Sequence, residues 1–315
     1  MTDVEELKEM LAGEFDKARF DAILAKYADM VPWLVLDLPS GNVIFRGRLM
    51  QGDDVLYIQR KEVSYPPADF APMGRVSNAN HPMFYASVFA RDAKETHFPW
   101  VTIALELNIF ERNAVRKDVT FSIWENNREL RLAALPFSSK YQLGLVDEMA
   151  NIQKEWEEKV KPHMTQEEIE LAIFFSDLLA MPGTPKIYQF TAGFFEYFLN
   201  QSEEGKELDG IIYPSAPAQG RGVNICLKSE VADMLEFKKA IYTIFYKEED
   251  ELTRIVYAET DGKRVPWKWY FNPDYRVERI PEQWRKRYVR DDARMRKEIK
   301  EAGYNKGRSK LVRRR

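Results

Sequence analysis

The chain has 315 residues, 45% hydrophobic and 31% charged, a balance that buries a sizeable core without metals or disulfides and excludes a disordered chain. Its net charge of -3 gives no global attraction to nucleic acid, and a single cysteine, Cys226, excludes an intramolecular disulfide. Apolar runs such as Leu171 to Leu179, with Ser176 and Asp177 inside, fall short of the roughly 18 apolar residues a membrane span needs.

The opening MTDVEELKEM is charged where a secretory signal is apolar, so the expectation is a cytoplasmic protein with no membrane contact. Apolar residues from Leu7 to Tyr27 recur at helical spacing between charges, which predicts one amphipathic helix over 3 to 28, ending near Pro32. After the turn signal Pro39-Ser40-Gly41, NVIFRGRLM (42 to 50) reads as a strand that carries Arg46 and Arg48 on one face. Residues 64 to 82 hold four prolines and form a long irregular loop that leads into MFYAS, a short strand.

DVTFSIW (118 to 124) and Leu130 to Leu135 alternate as strands. From Ser139 to Asn200 the period turns helical in three pieces, the second opening at Thr165 with Glu168 three residues on, a capping box, and breaking at Met181-Pro182-Gly183. Runs at 210 to 213, 222 to 227, 240 to 246 and 252 to 258 read as strands, and PWKWYF precedes a charged helix from about Pro281. Strands with helices inserted mid-chain and no regular βαβ alternation argue for an α+β fold. The expected organisation is an N-terminal helical extension (1 to 40), a central domain (41 to 260) whose bounds rest on the family resemblance given below, and an aromatic, basic extension (261 to 315). That basic end, GRSKLVRRR, reads as a solvated helix and frayed terminus, with nucleic acid or an acidic partner as the other reading.

Several chemistries lack their residues. Gly220-Arg221-Gly222 misses the third glycine of a dinucleotide fingerprint, and no P-loop or nucleophile elbow occurs. His81, His97, His163 and Cys226 show no metal-ligand spacing, so no metal is expected.

Five segments in order, FRGR (45 to 48), GRVSNANHPMFYAS (74 to 87), TIALEL (102 to 107), VTFSIW (119 to 124) and DGIIYPSAPAQGRGVNICL (209 to 227), resemble the RES domain, a family named for its arginine, glutamate and serine. The stretch FSDLLAMPGTPKIYQFTAGFFEYFL is similar to the family's helical insert. The resemblance covers about 41 to 230 and implies an ADP-ribosyltransferase-like mixed β core. It also implies cleavage of NAD, the substrate, by hydrolysis or by phosphorolysis with inorganic phosphate, often as the toxin beside an antitoxin protein. Transfer of ADP-ribose onto a macromolecule, or a silent module binding nucleic acid or protein through the C-terminal extension, are the alternatives.

On this resemblance Arg46 is the family arginine, a planar guanidinium suited to gripping a pyrophosphate, with Arg48 beside it and Arg75 as a second anion-binding residue. Tyr85 would stack on nicotinamide and Tyr65 would line the pocket. Glu106 is the chosen glutamate, supplying the anion that an oxocarbenium-like ribose requires. Glu95, ten residues after Tyr85, is its rival. Ser215 would donate to a phosphate or ribose, and Asn224 would support its strand pair and touch ligand secondarily.

Overall fold

The computed structural model describes residues 1–27, 33–50, 56–88, 99–109, 116–141, 145, 147–200, 202–248, 251–260, 262–263, 265–271, 293 and 297. Its strands are β1 (Leu34–Leu38), β2 (Val43–Leu49), β3 (Met83–Val88), β4 (Arg116–Glu125), β5 (Leu130–Ala134), β6 (Gly210–Pro214), β7 (Val223–Lys228), β8 (Glu236–Glu248), β9 (Glu251–Thr260) and β10 (Trp269–Phe271). Its helices are α1 (Asp3–Ala12), α2 (Lys17–Tyr27), α3 (Pro99–Glu106), α4 (Asp147–Glu155), α5 (Gln166–Ala180), α6 (Pro185–Asn200), α7 (Glu203–Lys206) and α8 (Ser229–Met234). Mixed strands and helices with mostly antiparallel pairing make the chain α+β, as the sequence pattern implies.

The chain forms two compact units that interleave along the sequence: residues 1–45, 65–106 and 125–236, and residues 46–64, 107–124 and 237–315. In the first unit the strands run β1-β5-β6-β7-β3, followed by the first residues of β2. All of these neighbours are antiparallel except β5 and β6. The register across β6, β7 and β3 aligns Tyr213, Asn224 and Ser87 in one row and, two positions along on the same face, Ile211, Cys226 and Tyr85. Directly opposed residues share a face, so these two rows bring polar side chains from distant parts of the sequence together.

The first unit's helical core is aromatic. Phe20 of α2, Phe175 of α5 and Phe190, Phe194 and Phe198 of α6 are buried, and Phe175 stacks on Phe194 with ring centroids 3.9 Å apart. Helix α5 begins as the sequence predicts: the Thr165 hydroxyl accepts from the Glu168 N–H while the Glu168 carboxylate accepts from the Thr165 N–H. The expected single N-terminal helix is instead two, α1 capped by Gly13 and α2 starting at Lys17. Phe15, between them, packs against Phe20 and Phe190, so the apolar spacing continues although the backbone turns. Asp209 fixes the start of β6. Burial would raise its pKa, but hydrogen bonds from the Arg128 guanidinium and the Arg131 N–H outweigh that and hold the carboxyl below its usual range.

In the second unit the remainder of β2 is followed by β4, β8, β9 and β10. PWKWYF is not surface decoration: Trp267 and Trp269 are buried, the Trp267 N–H donates to Ile58 O at 2.7 Å, and Trp269 Nε1 donates to Tyr57 O at 2.9 Å. The charged helix expected from Pro281 and the basic end fall almost wholly outside the described residues.

Candidate functional site

Glu106 is the last residue of α3, a short helix packed on the first unit's β3 and β7. Gly222 makes that packing possible, because a Cβ there would lie 2.4 Å from Thr102 Oγ1 and 2.5 Å from its Cγ2. One helical turn beyond Thr102, the exposed Glu106 meets the ends of β6 and β7.

There its Oε1 accepts two hydrogen bonds, from Ser215 Oγ at 2.7 Å and from Asn224 Nδ2 at 2.6 Å. Both donors are buried, Ser215 fully and Asn224 at 3% exposure. Among the described residues Oε2 accepts none, so one carboxylate oxygen is anchored and the other is open. The serine is itself held by a tight turn. Its N–H donates to Gly222 O at 2.8 Å, its carbonyl accepts from the Gly220 N–H at 3.0 Å, and its hydroxyl accepts from the Ala218 N–H at 3.3 Å. The turn passes through positive φ at Gln219 (52°) and Gly220 (86°), the second of which a glycine adopts without strain. Behind the asparagine, Ser87 Oγ donates to Asn224 Oδ1 at 2.7 Å.

Two buried tyrosines back this group. Tyr141 donates to Pro214 O at 3.2 Å, and Tyr213 stands opposite Asn224. Burial pushes both phenols well up, with Glu106 adding to the rise and Arg75 opposing it. The carboxylate and the guanidinium therefore act on the same two rings. Arg75 Nη1 donates to Leu179 O at 2.7 Å and Met181 O at 3.0 Å, closing the C-terminus of α5. Its Nε and Nη2 make no hydrogen bond among the described residues, and the guanidinium carbon lies 5.9 Å over the Tyr188 ring. An apolar cavity of about 10 Å³ reaches Tyr141, Tyr213 and Pro214, and two polar clefts of about 220 and 380 Å³ flank Glu196 of α6 instead.

The other sequence candidates are placed differently. The half-buried Tyr85 has its hydroxyl in the 74–77 loop, accepting from the Val76 N–H at 2.8 Å and sharing a proton with Ser77 Oγ at 3.0 Å. Tyr65 donates to the Asp233 carboxylate, 2.9 Å from each oxygen. In the second unit, Arg46 Nε donates to Ser64 O at 3.1 Å, and Arg48 donates to Glu62 O while lying 4.9 Å over the Tyr57 ring. Glu95 lies outside the described residues. Sequence reasoning passed over Ser87, Tyr141 and Tyr213. Alternation within MFYAS puts Ser87 on the face of Tyr85, a signal that was available.

No group of three or more histidine, cysteine, aspartate or glutamate side chains able to hold a metal occurs among the described residues. No described helix is long and apolar enough to cross a membrane. No family model matches the chain, and neither a curated protein nor a solved structure matches it.

Proposed function

We propose that the chain is an NAD-cleaving enzyme with an ADP-ribosyltransferase-like core, in which Glu106 stabilises the ribose cation formed when nicotinamide leaves. The observation that carries this reading is the asymmetric anchoring of Glu106. Donors 109 and 118 residues away in sequence saturate Oε1, and Oε2 stays open for a substrate. A carboxylate fixed in this way is preorganised to meet positive charge as it develops and does not have to reorganise during the reaction.

In the proposed reaction the bond between the ribose C1′ and the nicotinamide ring nitrogen breaks, and its electron pair neutralises the pyridinium. The positive charge passes to C1′ and the ring oxygen, facing the carboxylate. Water then adds at C1′ and loses a proton, giving ADP-ribose. Inorganic phosphate in its place gives the phosphate ester. Arg75, through Nε and Nη2, supplies a planar donor pair for a substrate phosphate. Ser215 and Asn224 hold the carboxylate as positioning residues. Arg46 and Arg48 hold the 56–64 segment of the second unit through its carbonyls.

The test is nicotinamide release from NAD, with and without phosphate, by the wild type and by Glu106→Gln, Glu95→Gln and Arg75→Ala. Glu106→Gln keeps the acceptor oxygen and removes the charge, and it is expected to lower kcat by on the order of 100-fold or more. Glu95→Gln is expected to leave it unchanged, and phosphate dependence names the acceptor. Wild-type protein that releases no nicotinamide under either condition sinks the proposal. Release only in the presence of an acceptor macromolecule turns it into ADP-ribosyl transfer.

A further inference from the structure

We infer that Ser87, on β3, is a positioning residue that pins the Asn224 amide in place and through it the anchoring of Glu106. The inference rests on the reading of Glu106 as the site carboxylate. The Glu106 carboxylate only accepts, so it already selects the donor end of the amide; what it leaves loose is the far, carbonyl end, which a second donor would pin. Ser87 is that donor. It is 1% exposed, stands directly opposite Asn224 in the β3–β7 register, and gives its hydroxyl proton to Asn224 Oδ1 at 2.7 Å. With the carbonyl end so occupied, Nδ2 points to Glu106 Oε1 at 2.6 Å.

The reverse orientation would set the Asn224 carbonyl against a carboxylate oxygen at hydrogen-bond distance, two acceptors with no proton between them. Removing the Ser87 proton leaves the carboxylate alone to oppose this flip, frees the far end of the amide to rock, and leaves a buried carbonyl without a donor. The anchored oxygen of Glu106 then keeps only the Ser215 hydroxyl as a firmly held donor, and the open oxygen loses its fixed aim. The consequence belongs to the transition state: substrate still reaches the site, while the carboxylate is less well placed for the charge that develops later.

Three variants and two readouts test this. Ser87→Ala is expected to lower kcat for nicotinamide release about 10-fold with KM changed less than twofold, and Ser87→Thr, which keeps the hydroxyl, is expected to restore kcat to within about threefold. Ser176→Ala, removing an equally buried serine hydroxyl that donates to Ala172 O within α5, controls for the loss of a buried polar group and is expected to leave kcat unchanged. The second readout needs no turnover. With asparagine ¹⁵N-labelled, the two side-chain amide protons of Asn224 should give one sharp, slowly exchanging pair in the wild type and in Ser87→Thr. In Ser87→Ala they should broaden and exchange with water at least 10-fold faster. An unchanged Asn224 signal in folded Ser87→Ala overturns the inference whether or not NAD is the substrate. An altered signal with no nicotinamide release by the wild type would uphold the relay and reject NAD cleavage. A kcat loss that Ser87→Thr does not relieve, or that Ser176→Ala reproduces, also overturns it.

Discussion

A carboxylate oxygen that already accepts two hydrogen bonds has little left to offer a ligand, so in the proposed reaction the working end of Glu106 is Oε2, and its worth there depends on how firmly Oε1 is held. Hydrogen bonds to charged groups contribute about 1.5–3 kcal/mol each. Asn224→Ala is therefore expected to reduce nicotinamide release by roughly 10- to 100-fold, and Asn224→Asp to reduce it further. The second change replaces a donor by another anion at the distance where like charges cannot both be accommodated. Assay of the two variants side by side checks this: equal losses would mean that Nδ2 contributes packing and not a directed proton. At this scale the sequence supplied residue types and not their partners. The resemblance picks Glu106, with Glu95 as its rival, together with Ser215 and Asn224, and the fold joins Glu106, Ser215 and Asn224 by hydrogen bonds. Tyr85 drew attention as an aromatic, yet its hydroxyl is spent on the 74–77 loop, and the polar group that reaches the asparagine is Ser87, two residues on. Ser87 and Asn224 are 137 residues apart, and their pairing is a matter of strand register that no local pattern encodes.

Elements translate that register into a site. Helix α3 carries Glu106 to the strand ends only because β7 is preceded by a residue without a side chain, and a Cβ at Gly222 would occupy the space of Thr102. Overpacking of this kind typically costs about 1–3 kcal/mol and is relieved by shifting the lighter element. Gly222→Ala is expected to displace α3 and lower kcat at least 10-fold. Thr102→Ala, which removes the two nearest obstructing atoms, is expected to recover part of that loss when combined with it. A double-mutant cycle on kcat gives the answer: additive losses would show that the two residues do not meet. Elements were legible where chemistry is local. The capping box at Thr165, the Met181 break and the strands around 119 to 124 and 223 to 228 follow from a few adjacent residues. Strand β1 and the interruption between α1 and α2 were not, because LVLDL buries one residue of five while four of them are apolar, and Phe15 keeps the helical spacing through a turn.

For the molecule as a whole, composition marks where the chain changes character and not which strands pair. The aromatic PWKWYF looks like the head of a basic extension, yet it closes the second unit. Trp267 is 1% exposed and stacks on Phe237 with centroids 4.4 Å apart, and Trp269 hands its indole proton to Tyr57 O. Every strand among the described residues ends by Phe271, and the Glu106 group is built wholly from the first unit. Two truncations separate the roles. A chain ending at residue 273 keeps all ten described strands and is expected to show the wild-type near-ultraviolet circular dichroism and undiminished nicotinamide release. A chain ending at residue 262 loses two buried tryptophans, each a deletion in the range of about 3–5 kcal/mol, and is expected to lose cooperative melting of the second unit. Nucleic-acid binding by the full chain that vanishes at 273 while release persists would make the basic end an accessory to the chemistry. A folded chain of 273 residues that no longer releases nicotinamide would instead show that the Glu106 group is insufficient, and would move the search for the missing charge into the basic end itself.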